Sequence, residues 1–172
     1  MERTQASVAP THADARLAEL YERHVGRAAG LARLLTGDRE AAEDLAHEAF
    51  LRVAGRFGHL RGPEVFEAYL RRTVVNLCRA RLRRLRLERA WLRRQPRGEP
   101  VARPAYDPDV REEVWSAVRR LPYRQRAAVV LRFYEDLSVE QTGEALRCST
   151  RASRSLLTRA LATLRRELTK EE

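Results

Sequence analysis

The sequence predicts an all-α protein: two small helical domains joined by a flexible, proline-rich linker. Three observations predict it. Apolar residues recur at helical spacing along most of the chain, and no stretch of any length alternates with period two. Charged residues make up 34% of the 172-residue chain, a composition that suits helices with one buried and one solvated face. Residues 95–110, QPRGEPVARPAYDPDV, hold four prolines and a glycine and interrupt the pattern once.

The first thirteen residues are small, polar and aperiodic and are predicted to be a disordered tail. A helix is expected over 14–37, with Leu17, Leu20, Tyr21, Val25, Ala28, Leu31 and Leu35 inward and Gly37 as its C-cap. A second, over 39–57, buries a narrow stripe of Ala42, Leu45, Ala46, Ala49 and Val53. A loop follows at 58–63. A third helix starts near residue 64, buries Phe66, Leu70, Val74 and Leu77, and reaches about 94, with room for a break. Beyond the linker, helices are expected over 111–120, 123–135, 138–146 and 150–168. The domains are thus 14–94 and 111–168, with a short tail at 169–172. Each has a thin core that can lean on a partner.

Several function classes find no support. His12, His24, His47 and His59 form no metal-spaced pair, and no glycine-rich phosphate loop occurs. Neither an enzyme, a cofactor nor a metal is expected. Cys78 and Cys148 are far apart with no CxxC, which suggests reduced thiols in a cytoplasmic protein. The first twenty residues lack the apolar core of a signal peptide, and no run is long enough to insert in a membrane.

Charge is informative. The net charge is +10, and residues 71–97 alone carry eleven arginines against one acid, Glu88. Within them Arg72, Asn76, Arg79 and Arg83 are spaced four, three and four apart and share one helix face. Like charges at these spacings repel, so the stripe calls for a polyanion. Asn76 both donates and accepts and is suited to a base edge while arginines hold phosphates.

The 39–57 helix is the opposite. Glu40, Glu43, Asp44, His47 and Glu48 oppose its buried stripe, and Leu51 projects among them. This is either a solvated face with a stray leucine or a docking surface for a basic partner. Residues 137–168 read as a helix-turn-helix. Ser138 and Gln141 form a capping box, and Gly143 is small where two helices need to approach. Leu157, Ala160, Leu161, Leu164 and Leu168 lie on one face of the last helix. Arg151, Arg154, Ser155, Thr158, Arg159 and Arg166 lie on the other. Arginines and hydroxyls near a helix N-terminus suit a major-groove reader, although an ordinary solvated basic face has the same pattern.

Three segments then resemble one family. AAEDLAHEAFLRV at 41–53, RGPEVFEAYLRRTVVNL at 61–77 and LPYRQRAAVVLRFYEDLS at 121–138 resemble motifs of bacterial sigma-70-type RNA polymerase sigma factors of the extracytoplasmic-function class, in an actinobacterial variant. The resemblance runs from about residue 15 to 168. It implies a subunit that confers promoter specificity on core RNA polymerase. Glu43, Asp44, His47, Glu48 and Leu51 fall where the family meets the clamp helices of the β′ subunit. Asn76 falls where the family captures a base flipped from the opened minus-ten strand. Arg61 to Phe66 would shape the loop beside it, and Arg72, Arg79 and Arg83 would hold backbone. Arg154, Ser155 and Arg159 fall at minus-thirty-five positions, with Arg151 and Thr158 on the same face. The resemblance also implies contact with the β flap, a linker near the RNA exit path and, in many members, an anti-sigma factor. This chain departs from the pattern at Arg147, where the family carries glycine, at Arg151-Ala152-Ser153 in place of Gly-Thr-Val, and at Leu156 in place of arginine. An altered or weak minus-thirty-five preference is expected. A free-standing helix-turn-helix regulator would account for 137–168 but leave the acidic face and the Asn76 stripe without a purpose.

Overall fold

The computed structural model describes residues 12–56, 62–92 and 110–169. Among them are seven α-helices and no strand: α1 His12–Thr36, α2 Arg39–Ala54, α3 Pro63–Leu92, α4 Val110–Arg120, α5 Tyr123–Phe133, α6 Val139–Ala145 and α7 Thr150–Leu168. The element boundaries follow the apolar periodicity closely. α3 is one unbroken helix of 30 residues. Its arginine-rich second half contains no proline or glycine to kink it. The expected disordered tail, most of the 58–63 loop and most of the linker lie outside the described residues.

Local signals explain the joints. Gly37 has φ +75° and closes α1, its amide donating to the Arg33 carbonyl at 2.8 Å. One residue on, the Asp38 side chain accepts from the Ala41 amide and caps α2. Ser138 and Gln141 form the capping box of α6, and Ser149 caps α7.

The first three helices pack into a bundle. α2 contributes Ala41, Ala42, Ala46 and Ala49, all buried, so neighbouring helices approach across a seam of methyl groups. Phe50 sits edge-on to both Tyr21 and Phe66, with ring centroids 4.9 and 5.7 Å away. In the second bundle, Ala117 and Val118 of α4, Ala127, Val130 and Leu131 of α5, and Ala145 of α6 close over Leu157, Ala160 and Leu164 of α7.

Packing between the bundles adds to what the sequence predicts. The two domains dock, and their buried residues form one continuous core. The Tyr123 hydroxyl donates to the Val75 carbonyl of α3 at 2.6 Å. Arg126, buried, donates to the Leu35 carbonyl at the end of α1 (2.7 Å) and to the Arg119 and Leu121 carbonyls at the end of α4. One guanidinium thus caps two helix C-termini, where unpaired carbonyls and the helix dipole favour a cation. Desolvation pulls its pKa down, and these hydrogen bonds offset the cost of burying the charge.

Candidate functional site

Three surfaces bear on function. The first lies on α3. Val74, Leu77 and Cys78 are buried against the bundle, which turns Asn76, Arg79 and Arg83 to solvent and leaves Arg72 half-buried. Three neighbouring arginines are committed. Arg71 reaches Glu67 and Glu135, Arg81 reaches Asp38 and Arg84 reaches Glu88. Among the described residues, Arg72, Arg79 and Arg83 pair with no carboxylate. The cations that share the Asn76 face are therefore left for an outside anion.

Phe66 stands differently from its expected place beside the base pocket. It is 1% exposed, with the rings of Phe50 and His24 each 5.7 Å away. Its ring is a core residue here and has no free face for a base, as its inward position in the helical period also indicates. Arg61 lies outside the described residues.

The second surface is the outer face of α2. Glu43, Asp44, His47, Glu48 and Leu51 are all exposed, Leu51 to 58%. Glu43 pairs with Arg39 at 3.3 Å and Glu48 with Arg52 at 2.5 Å, each one turn along the helix. Exposed pairs of this kind contribute about 0–1 kcal/mol, so a partner's basic groups can replace Arg39 and Arg52 at little cost. The Tyr21 hydroxyl lies 3.4 Å from His47 Nδ1 and steadies that ring at the edge of the face.

The third is the exposed side of α7. Arg151, Arg154, Ser155, Thr158 and Arg159 share it, opposite buried Leu157, Ala160 and Leu164. Arg159 lies along its own helix, donating to the Ser155 hydroxyl at 3.0 Å, and Thr158 donates to the Arg154 carbonyl at 3.0 Å. α6 and α7 cross tightly: a Cβ on Gly143 would lie 2.9 Å from the Cys148 carbonyl oxygen. The turn forces Arg147 to φ +53°, a left-handed conformation that favours glycine. Ser153 is fully buried, and its hydroxyl has no hydrogen-bond partner among the described residues.

No group of three or more His, Cys, Asp or Glu among the described residues could hold a metal, and no described helix is long and apolar enough to cross a membrane. Both cysteines are free. A small cavity lies at the domain seam between His24, Arg27, Glu67, Arg71 and Glu135. Its two arginines are spent on its two carboxylates, so it offers a ligand no uncompensated charge. Sequence reasoning missed this cluster, together with Tyr123 and Arg126. Each looks like an ordinary polar residue on an amphipathic helix, and only the docked partner gives it a role.

Comparison with known proteins places the chain in a family. Residues 20–88 match the family described as Sigma-70 region 2, and residues 111–164 match Sigma-70, region 4. The RNA polymerase sigma-E factor of Streptomyces coelicolor is 34% identical over 137 residues, covering 80% of this chain and 77% of that protein. The ECF RNA polymerase sigma factor SigM of Mycobacterium tuberculosis is 32% identical, covering 87% of this chain and 76% of that protein. The solved structure of the sigma factor RpoE from Bartonella quintana, in complex with the anti-sigma factor NepR, superposes with a TM-score of 0.72. It covers 91% of this chain and 99% of that one at 18% identity, a likeness of fold.

Two helical domains, one with an arginine-flanked asparagine stripe and one with a helix-turn-helix, define a promoter-recognition subunit that works with RNA polymerase in transcription initiation. The chain belongs to the sigma-70 family of RNA polymerase sigma factors, in its extracytoplasmic-function class.

Proposed function

We propose that the chain joins core RNA polymerase through α2, opens the minus-ten element with α3 and reads a minus-thirty-five element with α7. The observation that carries this reading is the face that Arg72, Arg79 and Arg83 share with Asn76, none of the three paired with a carboxylate among the described residues, while Arg71, Arg81 and Arg84 are paired. Those arginines hold the strand backbone, and the Asn76 amide reads a base taken from the stack. Glu43, Asp44, His47 and Glu48, with Leu51 as the apolar anchor, receive the basic clamp helices of β′. Arg151, Arg154, Ser155, Thr158 and Arg159 face the major groove, with a preference altered by Arg151-Ala152-Ser153 and Leu156. Domain limits of 14–94 and 111–168 suit these roles, with the intervening segment near the RNA exit path and the second domain on the β flap. The chain contributes no catalytic centre of its own, and phosphodiester chemistry belongs to the polymerase. It acts in the cytoplasm. NepR, bound to the Bartonella sigma factor, illustrates the kind of inhibitor that this chain is proposed to have.

The test is co-migration of the purified chain with sigma-free core polymerase on gel filtration. The wild-type chain is expected to co-migrate. Reversal of Glu43, Asp44 and Glu48 to lysine is expected to abolish the complex, since three contacts turn repulsive. A wild-type chain that never joins the polymerase would leave the free-standing regulator.

A further inference from the structure

The distal end of α3 carries a surface that the minus-ten contact leaves unused. From Arg83 to Leu92 no side chain is buried and Leu85 alone is half-buried. The last turns of the helix, about 15 Å at 1.5 Å per residue, therefore stand clear of the first bundle. Two large apolar side chains lie open there: Leu87 is 62% exposed and Trp91 60%. An aromatic left in water forgoes the burial of about 150–250 Å², and a solvated helix face has no need of a tryptophan.

The helical period places these residues beside Asn76. At about 100° per residue, Leu87 and Trp91 fall about 20° and 60° round the helix from Asn76 on one side. Arg83, Arg79 and Arg86 fall about 20°, 60° and 80° round it on the other. A row of arginines thus runs beside a narrow apolar row, and both continue the Asn76 face. All three arginines are exposed, and none pairs with a carboxylate among the described residues. Glu88, the one acid in residues 71–97, is turned about 120° away and is engaged by Arg84 at 3.8 Å.

This layout identifies the occupant. Like charges in a row call for a polyanion. Duplex DNA presents phosphates beside a major groove wide enough for a helix, and the apolar group exposed in that groove is the thymine methyl. Chain order gives the direction. α3 leads through residues 93–109 to the second domain, so its distal end runs from the minus-ten element toward the minus-thirty-five element, over the spacer where the promoter stays paired. Trp91 lies fifteen residues beyond Asn76, about 22 Å along the axis, which is the length of about six base pairs at 3.4 Å each.

We propose, on the minus-ten reading given above, that the distal end of α3 makes a second DNA contact. Leu87 and Trp91 meet thymine methyls in the spacer duplex, about six base pairs upstream of the base taken by Asn76, while Arg83 and Arg86 hold the phosphates beside them. The sequence of the spacer, and not only its length, then enters promoter choice.

Selection from a pool of duplexes tests it. Core polymerase carrying the full wild-type chain, or the chain with Leu87→Ala and Trp91→Ala, is presented with duplexes randomised from the minus-ten element up to the minus-thirty-five element. Both side chains are exposed, so the variant is expected to melt as wild type does. The wild-type pool is expected to gain thymine about six base pairs upstream of the minus-ten base. The variant pool is expected to lose that preference and keep the minus-ten base. On a duplex selected by wild type, the variant should bind about tenfold more weakly, the scale of a lost base contact. Deoxyuridine in place of those thymines removes only the methyls; it should weaken wild type and leave the variant unmoved. Arg83→Gln with Arg86→Gln should lower the salt slope of binding by about 2. Identical pools overturn the proposal. So does a variant that no longer co-migrates with core polymerase, because the face is then a protein contact. Asn76→Ala separates the two readings. If it leaves the selected minus-ten sequence unchanged, the functional reading fails; if only the thymine preference is missing, this contact alone fails. A wild-type chain that joins no polymerase overturns both.

Discussion

α3 and α7 both present arginines to solvent, but they are held in place by different means. α3 is anchored by volume: Phe66, Leu70, Val74, Leu77 and Cys78 fill the first bundle, and every buried position is apolar or a thiol. α7 also buries Leu157, Ala160 and Leu164, but its N-terminal end is anchored by close backbone approach and capping. Gly143 lets the Cys148 carbonyl come near, Ser149 caps the helix, Arg147 takes a left-handed conformation and Ser153 buries an unsatisfied hydroxyl. The first arrangement tolerates changes on its outer face. The second has strain in its foundations.

Three substitutions probe this contrast. The largest effect is expected from Gly143→Ala. Its methyl meets backbone rather than a movable side chain, so α6 and α7 must separate, at a cost of about 2–3 kcal/mol. A denaturant melt followed by circular dichroism reads it. Asn76→Ala is expected to leave the melt unchanged and to lower promoter opening about tenfold, near the ~1–3 kcal/mol carried by a base-edge contact. Polymerase binding should hold, and a parallel loss of binding would take the base-reading role away from Asn76. The smallest change runs the other way. Ser153→Ala removes a buried group with no partner among the described residues and is expected to stabilise the protein by about 1 kcal/mol, seen as a raised melting midpoint.

Much of this was legible in the sequence because helices announce themselves locally. The period of Leu17, Leu20 and Leu31, the Gly37 terminator and the Ser138 capping box each depend on residues within a turn or two. The Asn76 stripe was legible for the same reason, since four residues on one helix share a face whatever surrounds them. Phe66 shows the limit: its motif placed it beside a base, its helical period placed it inward, and packing against Phe50 and His24 settled the matter. Docking of the domains was not legible at all. Glu135 pairs with residues 64 and 108 positions away, and Arg126 bonds to a carbonyl 91 positions away. Contacts at such separations leave no periodic trace in a single sequence.

Cys78 lies fully buried in the first bundle, and desolvation pushes its thiol up to about 12. Almost no thiolate exists there at neutral pH, and none is accessible. Cys148 is half-buried in the turn between α6 and α7. A maleimide dye should therefore attach once per native chain and twice only after unfolding, as intact mass would show. The native protein thus arrives with a single addressable position beside its helix-turn-helix, and a fluorophore there would report upstream DNA without any cysteine having to be engineered.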